Sequence, residues 1–401
     1  MINTFEFIEI KDWCKLASDE NDFLENEKTY LPLFNDELTS IDKIYYENLK
    51  NQDELFFSTQ SNGGFRLNDL ISGQNIGGSF VAHLGKVLIK DSSLLILVQP
   101  QLSLVEGYGN RRWADYQLNK WPLSHNFPIA TIKGDVPSKN FQKRIKLYQI
   151  NTKVQKIPIS GIYLSVRADD ANIYHWLLET LIRLKCLEDV PKLKELPLII
   201  RDPLSNFQIE TLKLLGVENK LIVTNGESFE INDLYFPSIP SPPTLHRSAM
   251  KWLRNKFLYK LPPLDKKRRL YISRVDSNRQ LSNEDEIWPY LNSIGFEKLI
   301  MSTLSVRDQI DAFRVAECIV LPHGAAGSHL LFIPLDCKVL EFHSPAWINN
   351  CYLSLCNTLN IQYDWIIGTL SGTDINYNIK LEDVKKYFSN KINFKMKLIF
   401  D

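Results

Sequence analysis

Between residues 269 and 366, short apolar runs alternate with helix-length segments without a break. Runs at 269–273, 296–300, 318–321, 338–342 and 361–366 read as strands, with helices from about 283, at 305–317, at 326–332 and at 347–359. Strands that alternate with helices point to a parallel sheet joined by right-handed crossovers. Ser305-Val306-Arg307-Asp308 has the form of a capping box for the helix it opens. An earlier stretch repeats the pattern: a strand at 160–166, a helix over roughly 173–188, a strand at 197–200, a helix around 208–215 and a strand at 221–223.

The fold class expected is therefore α/β, with two facing Rossmann-like domains. Pro-rich residues 237–243 and Pro262-Pro263 suggest the junction between them. Residues 1–245 form the first domain, with an irregular, strand-rich start and its Rossmann-like part at about 160–245. Residues 246–375 form the second, and 376–401 are expected to pack back on the first. Within the start, 41–49 reads as helical, Gly63-Gly64 and Gly77-Gly78 as turns, and 81–98 as strands. Residues 99–150 receive no assignment. Ligands in such folds collect at the carboxyl ends of the strands, so a cleft between the domains is the expected site.

Lys+Arg and Asp+Glu both number 47 in 401 residues, and this zero net charge offers nothing to a nucleic-acid partner. Any phosphate chemistry must come from local clusters. The six cysteines lack a Cys-x-x-Cys pair and several lie in apolar runs, which predicts buried free thiols in a reducing compartment. The first residues, Met1-Ile2-Asn3-Thr4-Phe5-Glu6, lack a basic start with an apolar core, and no uncharged apolar run approaches the ~18–20 residues that span a bilayer. A soluble, cytoplasmic protein is expected. Nothing in the sequence fixes an oligomeric state.

Four groups of residues suit chemistry. Arg274 and Arg279 follow the apolar strand directly, and arginine is a permanent forked donor for phosphate. Asn283 and Glu284 are placed to cap the next helix and to orient an arginine. Arg268-Arg269 begin the same strand, at the wrong end for that work, and read as surface residues. His323-Gly324-Ala325-Ala326-Gly327 forms a strand-to-helix turn whose small residues let backbone approach a phosphate at the helix's amino end. The same residues also suit a tight packed turn with an ordinary loop histidine. Glu341 ends a strand, as an acceptor for ribose hydroxyls or as a cap. The fourth group is a stripe at helical spacing, Asn172, His175, Glu179 and Arg183, with Leu177, Leu181 and Leu184 opposite. Such a stripe is often a solvated face, but His175 suits removal of a hydroxyl proton, with Glu179 as its orienter or as the base itself. Asp169 and Asp170 precede it as further candidates. His323 and His329 stand six residues apart with no third ligand in their motif, so no metal site is expected. There is no Asp-x-Asp, which argues against a diphosphate held through a divalent ion.

Taken in order, these pieces resemble family 61 glycosyltransferases, the group that includes bacterial capsular polysaccharide biosynthesis proteins and eukaryotic xylosyl- and N-acetylglucosaminyltransferases. The pieces are Asn172-x-x-His175-Trp176-x-x-Glu179, Ile272-Ser273-Arg274, Arg279 with Asn283-Glu284, Gly295-Phe296-Glu297, Gln309, and Pro322-His323-Gly324-Ala325. They cover roughly residues 160–345. Ala326-Gly327-Ser328 departs from the Gly-Leu that relatives often carry there. The resemblance implies a GT-B-like fold and an inverting reaction with a nucleotide-sugar donor, usually a UDP-sugar, and no other cofactor. It places the donor diphosphate on Arg274, Arg279 and the His323-Gly324-Ala325 turn, and the base at His175 or Glu179. A glycan or lipid-linked glycan would be the acceptor, in cell-surface or capsular polysaccharide synthesis. A lipid-linked acceptor would bring the protein to a membrane surface, although no basic amphipathic helix stands out. The alternatives are a GT-B-like module that binds a nucleotide or glycan without catalysis, and a nucleotide-sugar enzyme of another type, such as an epimerase.

Overall fold

A computed structural model describes residues 2–39, 74–76, 78–90, 95–100, 102–104, 144–148, 154–165, 172–239, 245–259, 261–264, 266–372 and 375–391. Expectations for 41–49, Gly63-Gly64, Gly77 and most of 99–150 lie outside these residues. From residue 75 onward the chain divides into two units, with the break between residues 260 and 261, and residues 2–39 belong to the first. Among the described residues no helix is long and apolar enough to cross a membrane. All six cysteines are buried, and none is joined to another in a disulfide.

The first unit is built on a mixed sheet. Its strands include β1 (Ser79–Lys90), β2 (Leu95–Gln99), β3 (Val154–Tyr163), β4 (Leu198–Ile200), β5 (Leu221–Val223) and β6 (Ser228–Pro237). The order β5-β4-β3-β6 is parallel throughout, as the alternation requires. β6 then pairs antiparallel with β1, and β1 with β2, so the parallel block continues into an antiparallel region. β6 was not foreseen: Glu230, Asn232 and Asp233 interrupt its apolar run, and its register with β1 shifts between Ile231 and Leu234. A bulge of that kind breaks the period-two pattern from which strands are read. The core gathers Phe80, Val87, Ile89, Ile157, Tyr163, Ile199, Phe229, Ile231 and Phe236.

Helix α1 (Asn206–Leu215) opens on a reciprocal capping box between Ser205 and Gln208 and stops at Gly216, whose φ of 72° a side chain would resist. Helix α2 (Arg247–Leu258) belongs to the first unit, not the second as the Pro-rich junction suggested. His246, just before it, bonds the carbonyl of Asn35 at 2.8 Å, and Trp252 packs against Phe34. The boundary after this helix, between residues 260 and 261, falls just before Pro262-Pro263.

The second unit follows the expected alternation closely. Strands β7 (Arg268–Ser273), β8 (Phe296–Ile300), β9 (Ala316–Pro322), β10 (Lys338–His343) and β11 (Gln362–Ile367) are all parallel, in the order β8-β7-β9-β10-β11. Helices α3 (Glu284–Ser293), α4 (Val306–Phe313) and α5 (Cys351–Leu359) connect them. The capping residue Ser305 accepts from the Asp308 amide at 3.1 Å. The described part of the C-terminal segment, helix α6 (Leu381–Lys391), packs on this unit rather than on the first. Phe388 meets Tyr290 and Phe296, and Val384 joins the same core.

Arg183 is the first unit's most demanding buried group, with no exposure at all. Nε donates to Pro237 O at 2.6 Å, Nη2 to Tyr163 O at 2.9 Å, and Nη1 to Leu164 O. It thus ties the carboxyl ends of β3 and β6 to the helix above them. Each buried acceptor left unpaired costs about 1–3 kcal/mol. Arg183→Met, which keeps the volume and removes the donors, should therefore lower stability by at least about 3 kcal/mol in denaturant unfolding.

Candidate functional site

The strand order of the second unit locates its site. The chain runs from β7 to β8 on one side, then crosses to β9 on the other, so the order reverses between β7 and β9. A crevice at the carboxyl ends beside such a reversal is where doubly wound sheets bind ligands. The loop after β7 carries Arg274 and Arg279, and the turn after β9 is His323-Gly324.

These residues are in direct contact. Arg274 Nε donates to the Arg279 carbonyl at 3.1 Å, and Arg279 Nη2 to the His323 carbonyl at 3.2 Å. The Arg274 guanidinium abuts Gly324 with its Nη1 end, where a Cβ would sit 1.3 Å from Nη1. The φ of Gly324 is extended, so the glycine is needed for space and not for conformation. Among the described residues neither guanidinium ion-pairs with a carboxylate. The Nε of Arg279 is buried without a hydrogen-bond partner. Burial lowers both guanidinium pKa values, and Arg274 lowers that of Arg279 further, yet arginine stays charged.

The segment after His323 is a 3₁₀ helix, Ala325–Phe332, not an α-helix. Its first amides, at Ala325 and Ala326, have no intrahelical acceptor and remain suited to an anion. Gly327 does not share that role, because its amide donates to the Gly324 carbonyl at 2.9 Å. The same carbonyl accepts from Tyr352 Oη at 2.6 Å, and the Tyr352 ring fills the space beside Gly327.

Glu341 departs from its expected role. It is fully buried, with Oε1 2.5 Å from His323 Nδ1 and Oε2 accepting from Tyr363 Oη. It fixes the histidine ring and is out of reach of a ribose. Burial holds the His323 pKa well down, with Arg279 and Arg274 adding to the effect, and raises that of Glu341. His343 stacks on His323 with ring centroids 5.3 Å apart, and its pKa is pushed down to about 4 by burial. The ligand atoms of His323, Glu341 and His343 lie within 4.8 Å of one another, a separation that could hold a cation. Two guanidinium charges beside His323 oppose one, and the carboxylate is already shared between His323 and Tyr363.

Asn283 and Glu284 also work differently from expectation. Glu284 touches no arginine. It accepts from Tyr271 Oη at 2.8 Å, Ser273 Oγ at 2.9 Å and Lys298 Nζ at 2.9 Å, which pins the end of β7 beneath the Arg274 loop. Asn283 makes no side-chain cap; it bonds both backbone groups of Ile379, at 2.8 and 3.0 Å. Arg268 and Arg269 are half-buried, paired with Glu297 at 2.8 Å and Glu317 at 2.6 Å.

In the first unit, Asn172 caps the helical segment by accepting from the Tyr174 amide at 2.9 Å. Ile173–His175 is α-helical, Trp176–Thr180 forms a π-helical turn and Leu181–Lys185 a 3₁₀ turn. Isolated π turns are frequent at functional sites. His175 Nδ1 lies 2.8 Å from Glu179 Oε2, with the two side chains 16% and 5% exposed. The stripe is thus buried along most of its length, not solvated: Arg183 binds carbonyls, and Trp176 Nε1 donates to Thr211 Oγ1 at 2.8 Å. A buried carboxylate on Nδ1 orients a histidine to use Nε2 as a base. Asp169 and Asp170 lie outside the described residues.

Tyr352, Tyr363 and His343 were not singled out from sequence. A signal existed for Tyr363: a glutamate flanked by Val339, Leu340 and Phe342 in a strand demands a partner, and the next strand offers a tyrosine. His329 is buried beside Phe313 and Phe332, with Nδ1 on the Ala326 carbonyl at 3.1 Å.

Residues 173–340 match the family model described as Glycosyltransferase 61. The match includes His175, Glu179, both arginines and the His323 turn, and stops one residue before Glu341. Over 105 residues the chain is 30% identical to the EGF domain-specific O-linked N-acetylglucosamine transferase of Drosophila melanogaster. That stretch is 25% of this chain and 20% of the fly protein, so the chain spans about a fifth of that relative's length. Both matches are to glycosyltransferases and support an enzyme of that class.

Two tests separate packing from charge here. Gly327→Ala should cost about 1–3 kcal/mol, because a Cβ would meet the buried Tyr352 ring at 2.4 Å. Gly324→Ala should change stability less, since it is the guanidinium of the flexible Arg274 side chain, not a buried ring, that must move; denaturant unfolding compares the two. The second test concerns pH. Burial drives the His329 pKa down to about 4, whereas an unfolded histidine takes its proton near 6.5. Between those values the unfolded state binds the extra proton, so acid destabilises the fold by up to about 1.4 kcal/mol per pH unit for this group. His329→Gln should make the fall in stability between pH 6.5 and 4.5 shallower by about that slope.

Proposed function

We propose that the chain is an inverting, metal-independent glycosyltransferase that moves a sugar from a nucleotide-sugar donor, a UDP-sugar first among them, to a glycan hydroxyl. The observation that carries this reading is the pair of guanidiniums, half-buried and, among the described residues, ion-paired with no carboxylate, at the strand-order reversal of a parallel sheet. Arg274 and Arg279 hold the donor diphosphate, with the amides of Ala325 and Ala326 beside it. His175, oriented by Glu179, takes the proton of the acceptor hydroxyl. The hydroxyl oxygen attacks the anomeric carbon, the bond from that carbon to the diphosphate breaks, and the arginines stabilise the negative charge that leaves. This assigns the second unit to the donor and the first to the acceptor, in a GT-B-like enzyme. A cytoplasmic protein that builds cell-surface or capsular polysaccharide, on a free or lipid-linked glycan, is the setting we propose. The fly relative is named as an N-acetylglucosamine transferase, which makes an N-acetylglucosamine donor the first to assay.

Thermal unfolding with a panel of nucleoside diphosphates in EDTA tests the donor site. Ligand at 100 times its Kd should stabilise the protein by about 2.7 kcal/mol, and Arg274→Ala should abolish the shift. In transfer assays Arg274→Ala should lower turnover about 10²–10³-fold and His175→Ala about 10²–10⁴-fold. Binding without transfer or donor hydrolysis would favour a non-catalytic module, and unchanged turnover in Arg274→Ala would remove the assignment.

A further inference from the structure

Beyond β10 the chain makes a tight turn that presents one aromatic ring. The amide of Trp347 donates to the Ser344 carbonyl at 2.9 Å, and Ser344 Oγ donates to the Ile375 carbonyl at 3.0 Å. Ser344, Ile348 and Asn350 are buried, so the turn is anchored on both sides. Trp347 itself is 37% exposed, more than any other described tryptophan. Large aromatic side chains normally bury most of their area. One held in place by backbone bonds and left open to solvent at the carboxyl edge of a nucleotide-type sheet is therefore a candidate contact for a ligand. Its ring centroid lies 5.3 Å from the guanidinium carbon of Arg279. The ring thus borders the group that the proposed function assigns to the diphosphate, on the β10 side of the strand-order reversal.

We infer that Trp347 is the stacking platform for the nucleobase of the donor, with Arg279 joining the base subsite to the diphosphate subsite. The inference rests on the donor-site reading of the second unit. Every base has a π face, so stacking alone adds affinity without selecting one base. Selection would fall to polar groups around the ring. The alternative role for the ring is to brace Arg279 through the cation–π contact, and the two roles make different demands on the ligand. A brace affects any diphosphate equally, whereas a platform matters only to one that carries a base.

Calorimetric titration in EDTA of inorganic pyrophosphate and of uridine, adenosine, guanosine and cytidine diphosphates, against wild type, Trp347→Phe and Trp347→Ala, separates these. Trp347→Ala should weaken the best nucleoside diphosphate by about 5- to 150-fold, the range that base–aromatic stacking supplies. Its affinity for pyrophosphate should change less than about threefold, and Trp347→Phe should recover much of the loss. Equal loss for both ligands, or no loss for either, would overturn the inference. A wild type that binds pyrophosphate as tightly as any nucleoside diphosphate would overturn it too, while the anion site survives. A wild type that binds none of the ligands would remove the donor-site reading itself, and this inference with it.

Discussion

The second unit is organised around two positive charges that share a partly buried space and, among the described residues, ion-pair with no carboxylate. Burial and mutual repulsion both raise the energy of such a pair. What holds Arg274 and Arg279 there is a set of dipoles and a ring: the Arg279 and His323 carbonyls and the face of Trp347. The rest of the local structure serves that arrangement. Gly324 gives the first guanidinium its space, Tyr352 locks the Gly324 carbonyl, and Glu284 fastens the strand end from which the arginine loop departs. Electrostatic tension of this kind is relieved by an anion, and a diphosphate offers a charge for each arginine.

The parallel sheet of the second unit was legible because strands buried on both faces leave continuous apolar runs, and one helix between them opens on a capping serine. Arg274 and the His323 turn stood out for the same reason, since each directly follows such a strand, and Arg279 lies in the loop that Arg274 opens. Roles that depend on pairing between strands could not. Glu341 and Tyr363 meet only because β10 and β11 lie side by side, so a glutamate that looks in sequence like a strand-edge ligand becomes the buried support of a histidine. The first unit was less legible, since its parallel block shares a sheet with strands from earlier in the chain and one central strand is bulged. Helix α2 was assigned to the wrong unit because proline marks a turn equally well within a domain and between domains.

The residues that carry the family resemblance divide into two physical kinds. Arg274, Arg279, His323, His175 and Glu179 present charge or basicity. Gly295, Phe296, Glu297, Gln309, Asn283 and Glu284 are scaffold. Gly295 takes a φ of 86° where α3 ends, Phe296 fills the core and Glu297 pairs with Arg268. Gln309 Nε2 holds the carbonyls of Met301 and Leu304 in the turn before α4. A motif residue in this chain is thus as often a fastening for the site as a part of it. Glu284 shows how close the two can be, one turn below the arginine loop and touching neither arginine.

His323 is where the support and the charge meet. A protonated imidazole beside two guanidiniums would place a third positive charge in the same buried volume, and burial together with those neighbours keeps the ring neutral. Glu341 binds the Nδ1 edge without neutralising either arginine, so the ring can be fixed while the pair keeps its full charge. The charge of the site then rests on groups that do not titrate in water, and it stays constant across the neutral range.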